Sequence, residues 1–276
     1  MNQSVATPLK WHGGKSPLAG KIRDLFPPGR GKDWLHYVEP FAGGLSVLLA
    51  DPEGGEGISE VVNDLNSELT NFWSVAQNPD SFHDLQRCLE GTPFSELEYR
   101  WAVFIKGQTA VRQASSFFIA CRQSLAGRMK AFSPVSRTRT RRGMNEQVSG
   151  WLTAIEGLPA VHARLKRVLI LNRPALDVIR QQDGPQTLYY LDPPYLHETR
   201  ATTSDYAHEM TGADHAELLA TIGEIKGRFL LSGYRSVMYD GFAERFGWRR
   251  VDFEVSNHAS GGETKRKMTE CVWMNY

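Results

Sequence analysis

The tetrapeptide Asp192-Pro193-Pro194-Tyr195 follows directly on the apolar run Leu188-Tyr189-Tyr190-Leu191. Two successive prolines can neither continue a central strand nor donate to its ladder, so the chain leaves the sheet there in a stiff, extended form. A carboxylate, a carbonyl and an aromatic ring are thereby held close together. The set suits an exocyclic amine on a planar base: Asp192 and the Pro193 carbonyl accept its two N–H bonds, and Tyr195 offers a ring for stacking. A proline turn with a capping Asp is the plainer account. A second set is Phe41-Ala42-Gly43-Gly44, with Asp64 twenty residues after Gly44. In open α/β sheets, glycines after a strand let the backbone approach a ligand, and an acidic residue about 20 positions on takes ribose hydroxyls. The pair points to a nucleoside-containing cofactor, with a helix N-cap as the competing account of Asp64.

The elements that must carry these groups follow from the apolar pattern. Trp34 to Glu39 predicts a strand, Pro40 to Gly44 a turn and Leu45 to Ala50 a short helix. Val61-Val62 predicts a second strand, which hands over at Asn63-Asp64 to a helix through Leu65, Leu69, Phe72 and Trp73. Two such units predict a parallel sheet. Between about Asn78 and Gly157 strand signals fade, and helices are expected around Phe82 to Leu89, Ser95 to Phe104 and Ala114 to Leu125. Ser133 to Gly143 reads as an exposed basic loop. After a helix starting near Pro159, strands are expected at Val168 to Leu171, Leu188 to Leu191 and Phe229 to Ser232. Val251 to Val255 and Cys271 to Met274 complete the sheet as an antiparallel edge.

With 276 residues, 41% hydrophobic and 23% charged, the chain can bury a substantial core as one large α/β domain or two smaller ones. No apolar run approaches the roughly 18 to 20 residues of a membrane span, and no N-terminal leader pattern is present, so a cytoplasmic protein is expected. Cys88, Cys121 and Cys271 are too scattered for a disulfide framework, the eight histidines form no triad, and no metal is called for. The net charge of +1 conceals an uneven distribution. From Trp101 to Arg142 there is no Asp or Glu, while Lys106, Arg112, Arg122, Arg128, Lys130, Arg137, Arg139, Arg141 and Arg142 are all positive. Such a block is an electrostatic footprint for a polyanion, with a solvated basic surface as the alternative.

Pro8-Leu9-Lys10-Trp11-His12-Gly13-Gly14-Lys15, Val38 to Gly44 with Ser46, Asn63-Asp64-Leu65-Asn66 and Asp192-Pro193-Pro194-Tyr195 together, and in this order, resemble the Dam-like N6-adenine DNA methyltransferases of the α subgroup. The resemblance covers nearly the whole chain outside about 78 to 157. It implies a Rossmann-like, S-adenosylmethionine-dependent methyltransferase sheet over 1–77 and 158–276, with a mainly helical target-recognition domain inserted at 78–157. It implies S-adenosylmethionine as methyl donor, S-adenosylhomocysteine as product and double-stranded DNA as partner. Trp11 and Lys15 match cofactor-contacting positions. Glu39, Pro40, Phe41, Ala42, Gly43, Gly44 and Ser46 match the cradle of the cofactor, Asp64 the ribose carboxylate, and Asp177 the position facing the cofactor adenine. Asp192 is shared by cofactor and target sites and, with Pro193, Pro194 and Tyr195, forms the catalytic motif. Where the family's glycine loop often ends in a further glycine, this chain has Leu45, so a local difference in cofactor geometry is expected.

Adenine N6 is paired within a duplex, so the resemblance also implies that the target is flipped out. Arg122, Arg128, Lys130, Arg137, Arg139, Arg141, Arg142, Asn145 and Gln147 are the candidates for phosphate and base-edge contacts. Thr199 to Ser204 is either a lid over the flipped base or an ordinary surface loop. A cognate restriction enzyme, a monomer or weak dimer, and a nucleoid-associated place in a bacterial or phage-infected cell complete the expectations. Competing readings are cytosine-N4 methylation, methylation of protein glutamine amides, a non-enzymatic DNA-binding protein on a methyltransferase fold, and a nicotinamide dehydrogenase, which leaves Asp192 to Tyr195 unexplained.

Overall fold

Parallel strands covered on both faces need near-continuous apolar sequence, and the chain supplies it in short runs. In a computed structural model of the chain, described over residues 4–196, 209–256 and 267–276, these runs are β1 (His36–Glu39), β2 (Ser59–Asn63), β5 (Val168–Leu171), β6 (Thr187–Leu191) and β7 (Arg228–Gly233). They join β8 (Arg249–Ser256) and β9 (Lys267–Met274) in a seven-stranded sheet of order β5-β2-β1-β6-β7-β9-β8. The pairs β2·β1, β1·β6 and β6·β7 are parallel, and β7·β9 and β9·β8 antiparallel. The expected mixed α/β architecture is therefore present. The final strand of the chain lies between β7 and β8, so the antiparallel edge is a hairpin entered from its far side. Thr199 to Ser204, and His197, His208 and His258, lie outside the described residues.

The chain divides into two compact units. The second comprises residues 24–42, 55–65 and 171–276, and holds the sheet from β2 to β8 with α9 (Ala175–Gln181), α10 (Gly212–Glu224) and α11 (Val237–Phe246). Its core joins Val38, Val61, Tyr189, Leu191, Phe229, Leu231 and Trp273 of the sheet to Ile179, Leu218, Leu219, Ile222 and Tyr239 of the helices. The first unit comprises residues 1–23, 43–54 and 66–170. It contains α1 (Ala19–Arg23), α2 (Ser46–Leu49), α3 (Ser67–Gln77), α4 (Pro79–Glu90), α5 (Glu96–Phe104), α6 (Ala110–Gln123), α7 (Glu146–Glu156) and α8 (Leu158–Leu165). Aromatic contacts hold it together: Phe72 stacks on Phe118 at 5.6 Å and Trp151 meets Phe118 at 5.5 Å.

Side-chain caps explain where these helices begin. Asn66 accepts from the Glu68 and Leu69 amides, Asn78 caps α4 with Pro79 in its first turn, and Ser95, Thr109 and Asn145 cap α5, α6 and α7. The cap of α3 is thus Asn66, which removes helix capping as the account of Asp64. Helix α7 was not anticipated. The expected loop before it also contains a small hairpin, β3 (Thr140–Arg141) with β4 (Met144–Asn145). Its two-residue turn, Arg142-Gly143, has positive φ at both positions, 56° and 73°, matching the twist of paired strands. Strands of two residues leave no periodicity to read, and only Gly143 marks the turn.

Candidate active site

Ligands of open α/β sheets lie beyond the carboxyl ends of the strands, and in the second unit three of the singled-out residues follow the carboxyl ends of adjacent strands. β1 pairs with β2 through Glu39↔Val62 and with β6 through Val38↔Tyr189. β1 thus lies between β2 and β6, and the chain beyond these three strands carries Phe41, Asp64 and Asp192. The turn after β1 is fixed by buried Asn63, which donates to the Pro40 and Arg173 carbonyls at 3.0 Å each and accepts from the Arg173 amide at 2.9 Å. The Ala42 amide donates to the Asn63 carbonyl at 2.9 Å. Asn172 donates to the Asp64 and Leu65 carbonyls at 2.7 and 3.1 Å. These bonds set the backbone that aims Phe41 and Asp64. Neither Asn63 nor Asn172 was identified in a supporting role from the sequence; a polar residue in the last position of an apolar strand was the available signal. Asp64 and Phe41 are half-buried, and Asp177 is exposed in the first turn of α9.

Carboxylates are concentrated at this end of the sheet. Glu39, at 1% exposure, accepts the Tyr37 hydroxyl at 2.7 Å. Pro40 beside it and Pro193 are buried, while Asp192 and Pro194 are half-buried. The Tyr195 ring is buried edge-to-face against Tyr234, with centroids 4.7 Å apart, and its hydroxyl donates to Glu270. The Tyr190 hydroxyl lies 3.0 Å from Ser232 Oγ. Burial first, then the negative charge of Asp192, pushes both the Tyr190 and Tyr195 hydroxyls well above the ordinary tyrosine range. Both remain protonated donors throughout the working pH range. Half-buried Asp64 and Asp192 therefore bring carboxylates, acceptors suited to hydroxyl and amino groups, to the ends of β2 and β6, while Glu39 of β1 is enclosed. Among the described residues, no three His, Cys, Asp or Glu side chains group as metal ligands.

The glycine turn belongs to the first unit. The Gly43 carbonyl accepts from Trp73 Nε1 at 3.0 Å and the Gly44 carbonyl from Thr7 Oγ1 at 2.5 Å. Trp11 lies over both: a Cβ on Gly43 would sit 2.8 Å from Trp11 Nε1, and one on Gly44 2.9 Å from Trp11 Cβ. Trp11 is itself 6.1 Å from Phe117. Lys15 is buried and donates to the Gly13 carbonyl at 3.0 Å, and Ser46 Oγ is 3.2 Å from Ser16 Oγ. Leu45 has φ 55° and ψ 30°, the left-handed conformation for which glycine is the usual choice. That geometry costs a non-glycine residue about 1–2 kcal/mol, which complete burial of the Leu45 side chain offsets. Leu45→Gly and Leu45→Ala are both expected to destabilise the protein in urea titrations, by about 2–5 kcal/mol for alanine. Glycine is expected to be the milder of the two by about 1 kcal/mol despite removing more side chain; the opposite ranking would show that the backbone there is unstrained.

The basic candidates are placed unequally. Lys130, Arg137, Arg139 and Arg141 are exposed, and Arg139 sits 3.5 Å from Glu146. Arg142 makes two 2.9 Å bonds to Glu156. Arg122 is half-buried and donates to the Gly150 carbonyl at 2.6 Å, and Arg128 is half-buried. Asn145 caps α7 and donates to the Ser136 carbonyl at 2.9 Å, while Gln147 accepts from the Ser136 amide at 3.3 Å and donates to the Pro134 carbonyl at 2.9 Å. These two amides brace the basic loop from behind.

A mostly parallel seven-stranded sheet with helices is consistent with the α/β architecture of a methyltransferase. The chain belongs to the D12 class N6 adenine-specific DNA methyltransferase family, whose model matches residues 11–239. It is also similar to the Type II methyltransferase M.MjaIII of Methanocaldococcus jannaschii, with 22% identity over 97% of this chain and 98% of that protein. The protein is a DNA methyltransferase acting on adenine N6. Adenine N6 thereby prevails over cytosine N4, and enzyme over binding protein or dehydrogenase. No helix among the described residues is long and apolar enough to cross a membrane.

Proposed function

We propose that the enzyme transfers a methyl group from S-adenosylmethionine to an adenine flipped out of duplex DNA at a specific site, with Asp192-Pro193-Pro194-Tyr195 as the reacting turn. The observation that carries this reading is that β1, β2 and β6 are adjacent and parallel, so that Phe41, Asp64 and Asp192 all follow the carboxyl ends of neighbouring strands. The donor set fits the cofactor. Asp64 is assigned to the ribose hydroxyls, the cap of α3 being Asn66; Phe41 offers an apolar ring, and Trp11, Lys15, Glu39, Pro40, Ala42, Gly43, Gly44, Ser46 and Asp177 complete the assigned contacts. S-adenosylmethionine, when bound, supplies an electrophilic methyl group on a sulfonium.

The chain's own residues prepare the amine. Adenine N6 is a poor nucleophile because its lone pair is delocalised into the ring. Acceptance of hydrogen bonds from its two N–H groups by the Asp192 carboxylate and the Pro193 carbonyl favours a pyramidal nitrogen with an available lone pair. The prolines hold both acceptors rigid, so their orientation is settled before the base arrives. Positive charge develops on that nitrogen during transfer, the Asp192 carboxylate stabilises it, and the excess N6 proton leaves afterwards to give the neutral methylamine. Tyr195, with its hydroxyl and ring edge already fixed, is the aromatic wall for the base.

Residues 78–157 serve as the target-recognition region in this reading, with exposed Lys130, Arg137, Arg139 and Arg141 on phosphates. Likeness to a type II methyltransferase supports a cognate restriction enzyme as companion, and the absence of any spanning helix among the described residues fits a cytoplasmic place beside the nucleoid. Calorimetric titration with S-adenosylmethionine tests the cofactor half. Wild-type protein is expected to bind. Gly44→Ala, whose new methyl meets Trp11 at 2.9 Å, is expected to bind about tenfold more weakly, through an overpacking cost of about 1–3 kcal/mol. Unchanged affinity would remove the Trp11 face from the cofactor site. Incubation with methyl-labelled S-adenosylmethionine and unmethylated duplex DNA tests the transfer: label should enter the DNA, and its absence despite bound cofactor would overturn the reading.

A further inference from the structure

Glu270 lies beside the reacting turn and takes no part in the steps above. It is only 6% exposed, on β9, where the next four residues, Cys271 to Met274, are buried. Placing a carboxylate there is costly unless it is hydrogen-bonded. The bond is made to the Tyr195 hydroxyl, which donates to Glu270 Oε1 across 75 residues of chain. The register Gly233↔Cys271 places Tyr234, one residue beyond β7, opposite Glu270. Tyr234 in turn meets the Tyr195 ring at 76°. Two neighbours on the antiparallel side of the sheet thus fix the two freedoms of one side chain: Glu270 holds its hydroxyl, and Tyr234 sets its ring plane.

We infer that Glu270 is a positioning residue for methyl transfer: acting through the Tyr195 hydroxyl, its carboxylate holds the Tyr195 ring where the target adenine must lie. The inference rests on the reading of Tyr195 as the wall of the base pocket. The need for such a brace follows from the turn itself. Pro193 and Pro194 stiffen the backbone, but Tyr195 is the first residue after them whose side chain turns freely about two bonds. A stacking surface left to rotate would have to be ordered each time a base entered. Glu270 performs that ordering during folding, and misplacement by about 1 Å at such a site costs about 10²-fold in rate.

The test is a double-mutant cycle read as kcat and KM for label transfer from S-adenosylmethionine to unmethylated plasmid DNA, with cofactor affinity and urea midpoints measured alongside. Glu270→Leu, which removes the acceptor, is expected to lower kcat/KM about 10²-fold. Glu270→Gln keeps an acceptor oxygen and is expected to stay within about threefold of wild type. Tyr195→Phe removes the donor, and adding Glu270→Leu to it should cause little further loss, because the two residues act through one bond. Losses that multiply, or a Glu270→Gln variant as impaired as Glu270→Leu, would overturn the inference. Should Glu270→Leu fail to fold, the comparison of Glu270→Gln with Tyr195→Phe still decides: the glutamine variant must be the more active. A wild-type enzyme that transfers no label would instead refute the proposed function, whereas an active wild type with equally active Glu270→Leu refutes only the role of Glu270.

Discussion

Asp192→Ala is expected to reduce methyl transfer by at least about 10³-fold while leaving DNA affinity close to that of the wild type. The magnitude follows from two losses at one atom group. Removing a preorganised partner of developing charge costs about 10²–10³ in kcat, and the same substitution removes an acceptor that makes the amine nucleophilic. Asp192→Asn keeps the shape and one acceptor oxygen but not the charge, so it should retain a small residual rate above that of alanine. The fold is expected to survive both, because Asp192 stands at the open end of β6 and the core beneath it is built by Tyr189, Leu191, Phe229 and Leu231. The measurement pairs initial rates of label incorporation with DNA binding by fluorescence anisotropy. Full activity in the alanine variant would remove Asp192 from the reaction, and a parallel loss of DNA binding would move its role from chemistry to docking.

The second large effect concerns the basic hairpin region. Simultaneous replacement of Arg137, Arg139 and Arg141 by Gln should weaken duplex binding and reduce the slope of log K against log salt by as much as about 2.7, from about 0.9 per phosphate contact. All three are exposed on a stretch that carries no acidic residue from Trp101 to Arg142. Arg142 is left intact because its two bonds to Glu156 mark it as a strut of the hairpin turn. Affinity measured at 50 and 200 mM salt separates the two accounts of the block. An unchanged slope would make it a solvated surface, whereas a flattened slope with unchanged nucleoside product would assign it to phosphates.

The sequence made the strand ends legible and their supports illegible, for a physical reason. A strand that stops at Gly-Gly or Pro-Pro announces itself, because these residues are excluded from the ladder. Hence the ends of β1 and β6 are legible, while β2 is legible from Val61-Val62 and its handover at Asn63-Asp64. Asp64 illustrates the limit: two chemically sound accounts competed until Asn66 proved to be the cap of α3. Leu45 shows a departure from pattern absorbed by structure, since the position keeps its left-handed backbone and burial offsets the strain. The hairpin at Thr140 to Asn145 is too short for any periodicity. Glu270 is the deepest omission. A lone Glu just before the apolar run Cys271 to Met274 reads as a solvent-facing start of the strand, and only the pairing of β9 beside β7 brings it to Tyr195.

The most direct test of the account is the identity of the methylated nucleoside. Duplex DNA modified by the purified protein with methyl-labelled S-adenosylmethionine is digested to nucleosides, and the labelled species is separated and identified. The account predicts N6-methyldeoxyadenosine as the labelled product, formed by the wild type and lost in Asp192→Ala. Label in N4-methyldeoxycytidine, or N6-methyldeoxyadenosine formed undiminished without Asp192, would contradict it.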